Sequence, residues 1–206
     1  MVPVGASNKV PDTFEGGPMV VRIVTDSACD LPQALCDEFN IEIVPLHIRF
    51  GDTEYVDRVE LSTDEFWRKL KSASVLPETA APSVGAFEET FRRMRDEGAD
   101  GIVCVNLSAA MSATMQSAKV AAKALDGVCP VEVFDSQTVS MGQGDLVWHA
   151  ARRAKEGADV DTIVAELDVR RQRSRLLAAL DTLEYLRKGG RIGGAQAMLG
   201  SMLSFK

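Results

Sequence analysis

Histidine is nearly absent from this chain, with only His47 and His149 among 206 residues. Both read as ordinary structural residues, one on a strand and one on a helix, so a histidine general base is not expected. The four cysteines (Cys29, Cys36, Cys104, Cys129) show no Cys-x-x-Cys spacing. With so few histidines beside them they cannot assemble a structural zinc set, and no metal is expected. No His-Glu-x-x-His pair, Walker A loop or EF-hand loop occurs. A Gly-x-Ser-x-Gly nucleophile elbow is also missing, because Ala110 and Thr114 stand at the glycine positions around Ser112. Basic charge is in deficit, with a net charge of −7. That argues against nucleic acid and anionic membrane surfaces as partners, since both are bound by basic patches that neutralise phosphates. The arginines at 170, 171, 173 and 175 lie in a helical context and read as a solvated face. No apolar run approaches membrane-spanning length, so no stable membrane insertion is expected. No apolar secretory segment opens the chain, and with the unspaced cysteines this points to reduced thiols and a cytoplasmic protein.

What is present is a core-forming composition, 46% hydrophobic, in an alternating pattern. Residues 1–18 are rich in Pro, Gly and small polar residues and read as a disordered extension. From Val20 onward, short β-branched runs alternate with amphipathic stretches. This is the α/β signature of a parallel sheet with helices on both faces, a Rossmann-like lobe. Strands are expected at Val20–Thr25, Ile41–Leu46 (continuing through His47–Phe50 to a turn at Gly51-Asp52), Gly101–Asn106 and Val131–Asp135. A first helix is expected behind Asp30 as N-cap, with Leu31, Leu35 and Phe39 inward. Ser62 and Glu65 form an S-x-x-E capping box for a second. The prolines of Pro77–Ser83 impose an extended segment that delivers Ser83 as N-cap to a helix burying Val84, Phe87, Phe91 and Met94. Further helices are expected over about 112–125, 143–155 and 160–173, then a strand at Leu176–Leu180 and a turn through Gly189-Gly190 and Gly193-Gly194. A boundary near Gly157 divides an N-terminal α/β lobe (19–157) from the start of a second α/β lobe (158–206). The second has too few residues to complete a core of its own.

One stretch stands out: from Val103 to Ala118 there is no charged residue. It reads as a buried strand running into a helix start, lined by hydroxyls and small apolar side chains, where backbone N–H groups can meet a small anion beside a greasy surface. Ser112 is the expected N-cap, and Ala109, Ala110 and Ala113 leave room for close approach to the backbone. Met115 and Met111 are core residues or the lining of a pocket for a flexible chain. In open parallel sheets ligands bind beyond the carboxyl ends of the strands. Three such ends are polar here: Thr25-Asp26-Ser27, Asn106-Leu107-Ser108 and Asp135-Ser136. Each alone is equally a cap or turn former. Thr79, in the proline-flanked segment, can present a hydroxyl across a crevice. Arg191 sits between glycine pairs, placed either to reach an acidic head group or simply exposed in a turn. Gly142-x-Gly144 lacks the rest of a dinucleotide fingerprint.

Taken together, these segments resemble the DegV family of fatty-acid-binding proteins. The resemblance is carried by Val24-Thr25-Asp26-Ser27, Pro77 to Ser83, Leu107 to Ala118, Asp135-Ser136 through Gly144, and Leu183 to Ile192. It implies one long-chain fatty acid bound non-covalently between two α/β lobes, its carboxylate met by hydroxyls. Thr79, Ser112 and Arg191 match the family positions around that carboxylate, with Ser27, Ser108 and Ala113 completing the ligand-binding set. It further implies a non-catalytic carrier that presents the bound acid to a separate fatty-acid kinase subunit, with no cofactor beyond the lipid. Two positions depart from the family pattern. Ala80 stands where serine is frequent and Ala113 where glycine is frequent. Family members also continue beyond the position of Lys206 through a second lobe that carries a histidine near the carboxylate, so that lobe is expected to be incomplete here. Two other functions remain compatible with the residues. One is an enzyme acting on a small carboxylated or phosphorylated metabolite through Asp26 and Asp135, and the other is a regulatory module that binds a partner.

Overall fold

The computed structural model describes residues 19–193. The extension expected over 1–18, Gly194 of the glycine-rich turn, and the remainder of the expected second lobe lie outside the described residues. In chain order the elements are β1 (Val21–Asp26), α1 (Gln33–Phe39), β2 (Ile41–Val44), β3 (His47–Phe50), β4 (Thr53–Val56), α2 (Thr63–Ser72), β5 (Glu78–Ala80) and α3 (Val84–Asp96). They continue with β6 (Gly101–Asn106), α4 (Thr114–Ala122), β7 (Val131–Asp135), α5 (Met141–Lys155), α6 (Val160–Arg173) and α7 (Glu184–Lys188).

Alternation along each strand sends successive side chains to opposite faces, and two cores result. The sheet is parallel throughout, in the order β2-β1-β6-β7. Every residue of β6 is buried, as a central strand covered on both faces must be. On one face Val21, Ile23, Val103 and Val105 meet Leu146, Val147 and Ala150 of α5, Ile163 and Leu167 of α6, and Cys36 of α1. On the other, Val24, Ile102 and Cys104 meet Phe87, Phe91 and Met94 of α3 and Ala118 and Ala121 of α4. Phe87 and Phe91 are fully buried, and burying each phenylalanine side chain stabilises the fold by about 1.5–3 kcal/mol. The α/β fold with helices on both faces is therefore as the sequence pattern implies.

Three local expectations are corrected. Asp30 does not cap α1 but takes a left-handed conformation (φ 53°) at the C-terminal end of a short 3-10 turn, Ser27–Cys29, whose start Asp26 caps; Pro32 precedes α1 without a side-chain cap. The run from Ile41 to Phe50 is two strands, because the ladder of β2 with β1 ends at Val44 and Pro45 has no N–H with which to extend it. Beyond it, β3 leaves the parallel sheet and joins an antiparallel sheet in the order β4-β3-β5. Leu176–Leu180 forms no strand: it has no ladder partner among the described residues, and Leu177 is 90% exposed. The first core also draws on residues past Gly157. Val160, Ile163 and Leu167 of α6 belong to the first core, and a Cβ added to Gly101 at the start of β6 would lie 2.5 Å from Val160 Cγ2. Helix α6 thus packs on this sheet, because an amphipathic helix buries its apolar stripe on an open sheet face.

Candidate functional site

Strand order reverses between β1 and β6, since β2 lies beyond one and β7 beyond the other. In open α/β sheets this switch point is where the loops at the carboxyl ends part and leave a crevice. Beneath it lies a buried polar cluster. Asp26 is fully buried, and its carboxylate accepts four N–H groups. Oδ1 accepts from Ala28 N (3.1 Å) and Gln143 Nε2 (3.1 Å), and Oδ2 accepts from Leu107 N (2.9 Å) and Asn106 Nδ2 (3.0 Å). Burial pushes the Asp26 carboxyl above the ordinary carboxylate range, while these donors pull it back down. Gln143 also donates to Thr25 Oγ1 at 3.0 Å, and Thr25 Oγ1 donates to Val105 O at 2.8 Å. The cluster ties α5 to the ends of β1 and β6.

Above it sits the charge-free turn between β6 and α4. Its outer anchors come from the neighbouring loop: Ser108 N donates to Thr138 O (2.9 Å) and Ala109 N to Asp135 Oδ1 (3.2 Å). Ser108 is buried, its carbonyl accepting from the amides of Met111 and Ser112 and its hydroxyl from that of Ala110. Helix α4 begins at Thr114 with Ala113 at the cap position, two residues later than expected. The Ser112 hydroxyl nevertheless accepts from Thr114 N (3.3 Å) and lies 2.9 Å from the Thr114 hydroxyl. Among the described residues the amides of Ala113, Met115 and Gln116 have no hydrogen-bond partner. These are the donors that a helix start leaves free for an anion.

Arg191 reaches this turn from the far end of the described chain. Helix α7 closes with Gly190 at φ 71° and an Arg191 N to Leu186 O hydrogen bond, which turn the chain back. The Arg191 guanidinium then donates from Nε to Met111 O (3.4 Å) and from a terminal nitrogen to Gly189 O (2.7 Å), and the side chain stays exposed. Met111, whose carbonyl accepts the guanidinium, directly precedes Ser112.

Of the six expected site residues, Ser108, Ser112, Ala113 and Arg191 are therefore drawn to one turn. Ser27 lies beneath it, buried, with its hydroxyl accepting from Leu46 N at 3.1 Å. Thr79 is exposed on β5, paired with Ile48 of β3, and no hydrogen bond among the described residues joins it to Ser112 or Arg191. Sequence reasoning missed Gln143 and Thr114, both fully buried. The available signal was a glutamine on a helix stripe otherwise made of Gly144, Leu146, Val147 and Ala150. Asp26 and Asp135, weighed as acid–base groups, instead hold backbone amides. Among the described residues no group of three His, Cys, Asp or Glu side chains is placed to hold a metal ion. No helix among them is long and apolar enough to cross a membrane.

The chain is similar to known proteins over most of its length. The model of the DegV family, described as uncharacterised, matches residues 20–206. A DegV domain-containing protein of Halalkalibacterium halodurans is 39% identical over 186 residues, covering 90% of this chain and 65% of that protein. A solved structure described as the fatty acid binding of a DegV family protein from Thermus thermophilus is 36% identical with a TM-score of 0.78, covering 90% of this chain and 65% of that one. DegV from Bacillus subtilis, described as a fatty acid binding protein, is 28% identical with a TM-score of 0.78, covering 90% of this chain and 66% of that one. The chain thus spans about 65% of the length of the curated relatives it matches. It belongs to the DegV family.

Proposed function

We propose that this protein binds a long-chain fatty acid non-covalently, holding the carboxylate at the turn before α4 and presenting it to a fatty-acid kinase subunit. The observation that carries the reading is the approach of the Arg191 guanidinium to Met111 O at 3.4 Å, beside the paired hydroxyls of Ser112 and Thr114. A cation, hydroxyls and helix-start amides that have no hydrogen-bond partner among the described residues, gathered at one turn, make a receptor for an anion. Ala109, Ala110, Ala113 and Met111 beside them keep the surroundings apolar, which suits a carboxylate with a hydrocarbon tail better than a phosphorylated metabolite. Thr79, on the second sheet, would add a hydroxyl from across the crevice, with Ser27 and Ser108 supporting the turn. Each buried methylene contributes about 0.8 kcal/mol, so the chain dominates affinity while the head-group site sets orientation.

The carrier role, with catalysis left to the partner, is supported by the commitment of Asp26 and Asp135 to backbone amides. A cytoplasmic location is supported by four cysteines that are all free and buried. Native mass spectrometry of the gently purified protein tests the binding reading. A mass increment of one long-chain fatty acid, or its appearance on adding stearate, is expected; a protein that neither carries nor takes up the acid overturns it. Acyl phosphate formed from ATP only when a fatty-acid kinase subunit is added would support the presentation step, and formation by this protein alone would refute it.

A further inference from the structure

We propose that Asp135 is a positioning residue for the carboxylate turn, acting as a hydrogen-bond acceptor and not through its charge. Three partners outside the turn hold the backbone from Leu107 to Ala109: Asp26 Oδ2 on Leu107 N, Thr138 O on Ser108 N, and Asp135 Oδ1 on Ala109 N. The first lies in the core and the second is main chain. Asp135, half-buried at the end of β7, is the one side chain of the three near the surface. Its Oδ1 also accepts from Gln137 N at 2.9 Å, and Gln137 sits in a left-handed conformation at φ 52°. One oxygen therefore fastens two loops together: 107–113, which leads to Ser112, and 136–140, whose Thr138 carbonyl grips Ser108. The other oxygen, Oδ2, makes no hydrogen bond among the described residues. A carboxylate beside an anion receptor is electrostatically unfavourable for the ligand. What the position needs is an acceptor, and the structure uses the Asp135 carboxylate for two backbone donors.

This inference rests on the fatty-acid reading, and the test separates the two. Stearate affinity, melting temperature and amide hydrogen exchange are measured for the wild-type chain, Asp135→Ala and Asp135→Asn. Asparagine keeps Oδ1 and places an amide nitrogen where Oδ2 had no partner. Asp135→Ala is expected to bind stearate about tenfold more weakly, through loss of the acceptor that both Ala109 N and Gln137 N use, and to expose those two amides to exchange. Asp135→Asn is expected to restore both the protection and an affinity at least equal to wild type. Stearate binding by wild type with equal binding by Asp135→Ala overturns the positioning role alone. Binding as weak in Asp135→Asn as in Asp135→Ala overturns the acceptor assignment in favour of the charge. Absence of stearate binding by wild type removes the fatty-acid reading and this inference with it, whatever the exchange shows. If Asp135→Ala melts early, Asp135→Asn carries the comparison with wild type.

Discussion

Asp26 has no access to water and gives its carboxylate to four N–H donors on three segments of chain. Truncating it to alanine leaves those donors short, two of them main chain, and unsatisfied buried groups cost about 1–3 kcal/mol each. Asp26→Ala is therefore expected to lose at least about 3 kcal/mol of stability in urea unfolding; a loss below about 1 kcal/mol would mean the donors find other partners. The pH dependence of this group has a definite sign. Burial holds its folded pKa above the unfolded value, so the charged form is the costly one in the native state. Its contribution to stability declines as pH rises through the folded pKa and recovers below it. Arg191 lies at the opposite, exposed end of the candidate site. Arg191→Ala is expected to weaken stearate binding about tenfold with little change in melting temperature, by loss of a charge-assisted contact; calorimetric affinity equal to wild type would remove Arg191 from the site. At this scale the sequence exposed the types but not the partners. Ser112 and Arg191 stood out because hydroxyls and small residues surround one and glycines the other. The bonds of Gln143 to Asp26 and Thr25 link residues over a hundred positions apart, and no local pattern encodes them.

Among the elements, helix starts were the most legible because their chemistry is local. Ser62 and Glu65 form the expected capping box, and Ser83 caps α3 through Ala86 N at 3.1 Å. Element ends that depend on distant partners were not legible, as with Leu176–Leu180, whose leucine and alanine content says nothing about whether a ladder lies beside it. Helix α5 shows a constraint that periodicity alone cannot reveal. A Cβ at Gly144 would lie 2.6 Å from Cys29 O, a backbone atom that cannot swing aside. Gly144→Ala is expected to cost about 1–3 kcal/mol by overpacking, read as a lowered urea midpoint. The joint between α5 and α6 is ionic. Arg170 grips Asp145 through two bonds, and Glu166 accepts from both Arg153 and His149. The Arg170 hydrogen bonds hold the Asp145 carboxyl below its ordinary value, and Arg153 does the same for Glu166. Depressed folded pKa values give stability that is present above the unfolded carboxylate range and lost as pH falls through the folded values. Acidification should therefore loosen α6 while it relieves Asp26. Hydrogen exchange along α6 is expected to rise in acid, and in Asp145→Asn to be raised already at neutral pH; exchange independent of pH would show that apolar packing alone holds the helix.

The molecule as a whole has two sheets of different kinds, and the sequence conveyed one of them well. The uncharged, β-branched β6 and the alternation of strands and helices pointed to the parallel sheet. The antiparallel β4-β3-β5 sheet was hidden, because β5 is a three-residue strand between prolines whose pairing with β3 closes over a long gap. That second sheet carries Thr79, so the residue could be singled out from its proline-flanked segment while the strand that holds it could not. The exposed Leu177 and Leu180 follow α6, on the stretch that leads toward Arg191. The proposed function unifies these parts in one arrangement: a carboxylate would lie between the α4 start and Arg191, with its hydrocarbon tail over the alanine-lined turn. A crystal structure of the protein with stearate tests this most directly. The carboxylate is predicted within hydrogen-bond distance of the Ser112 hydroxyl and the Arg191 guanidinium; a carboxylate bound away from both, or an acyl chain that avoids the turn before α4, would contradict it.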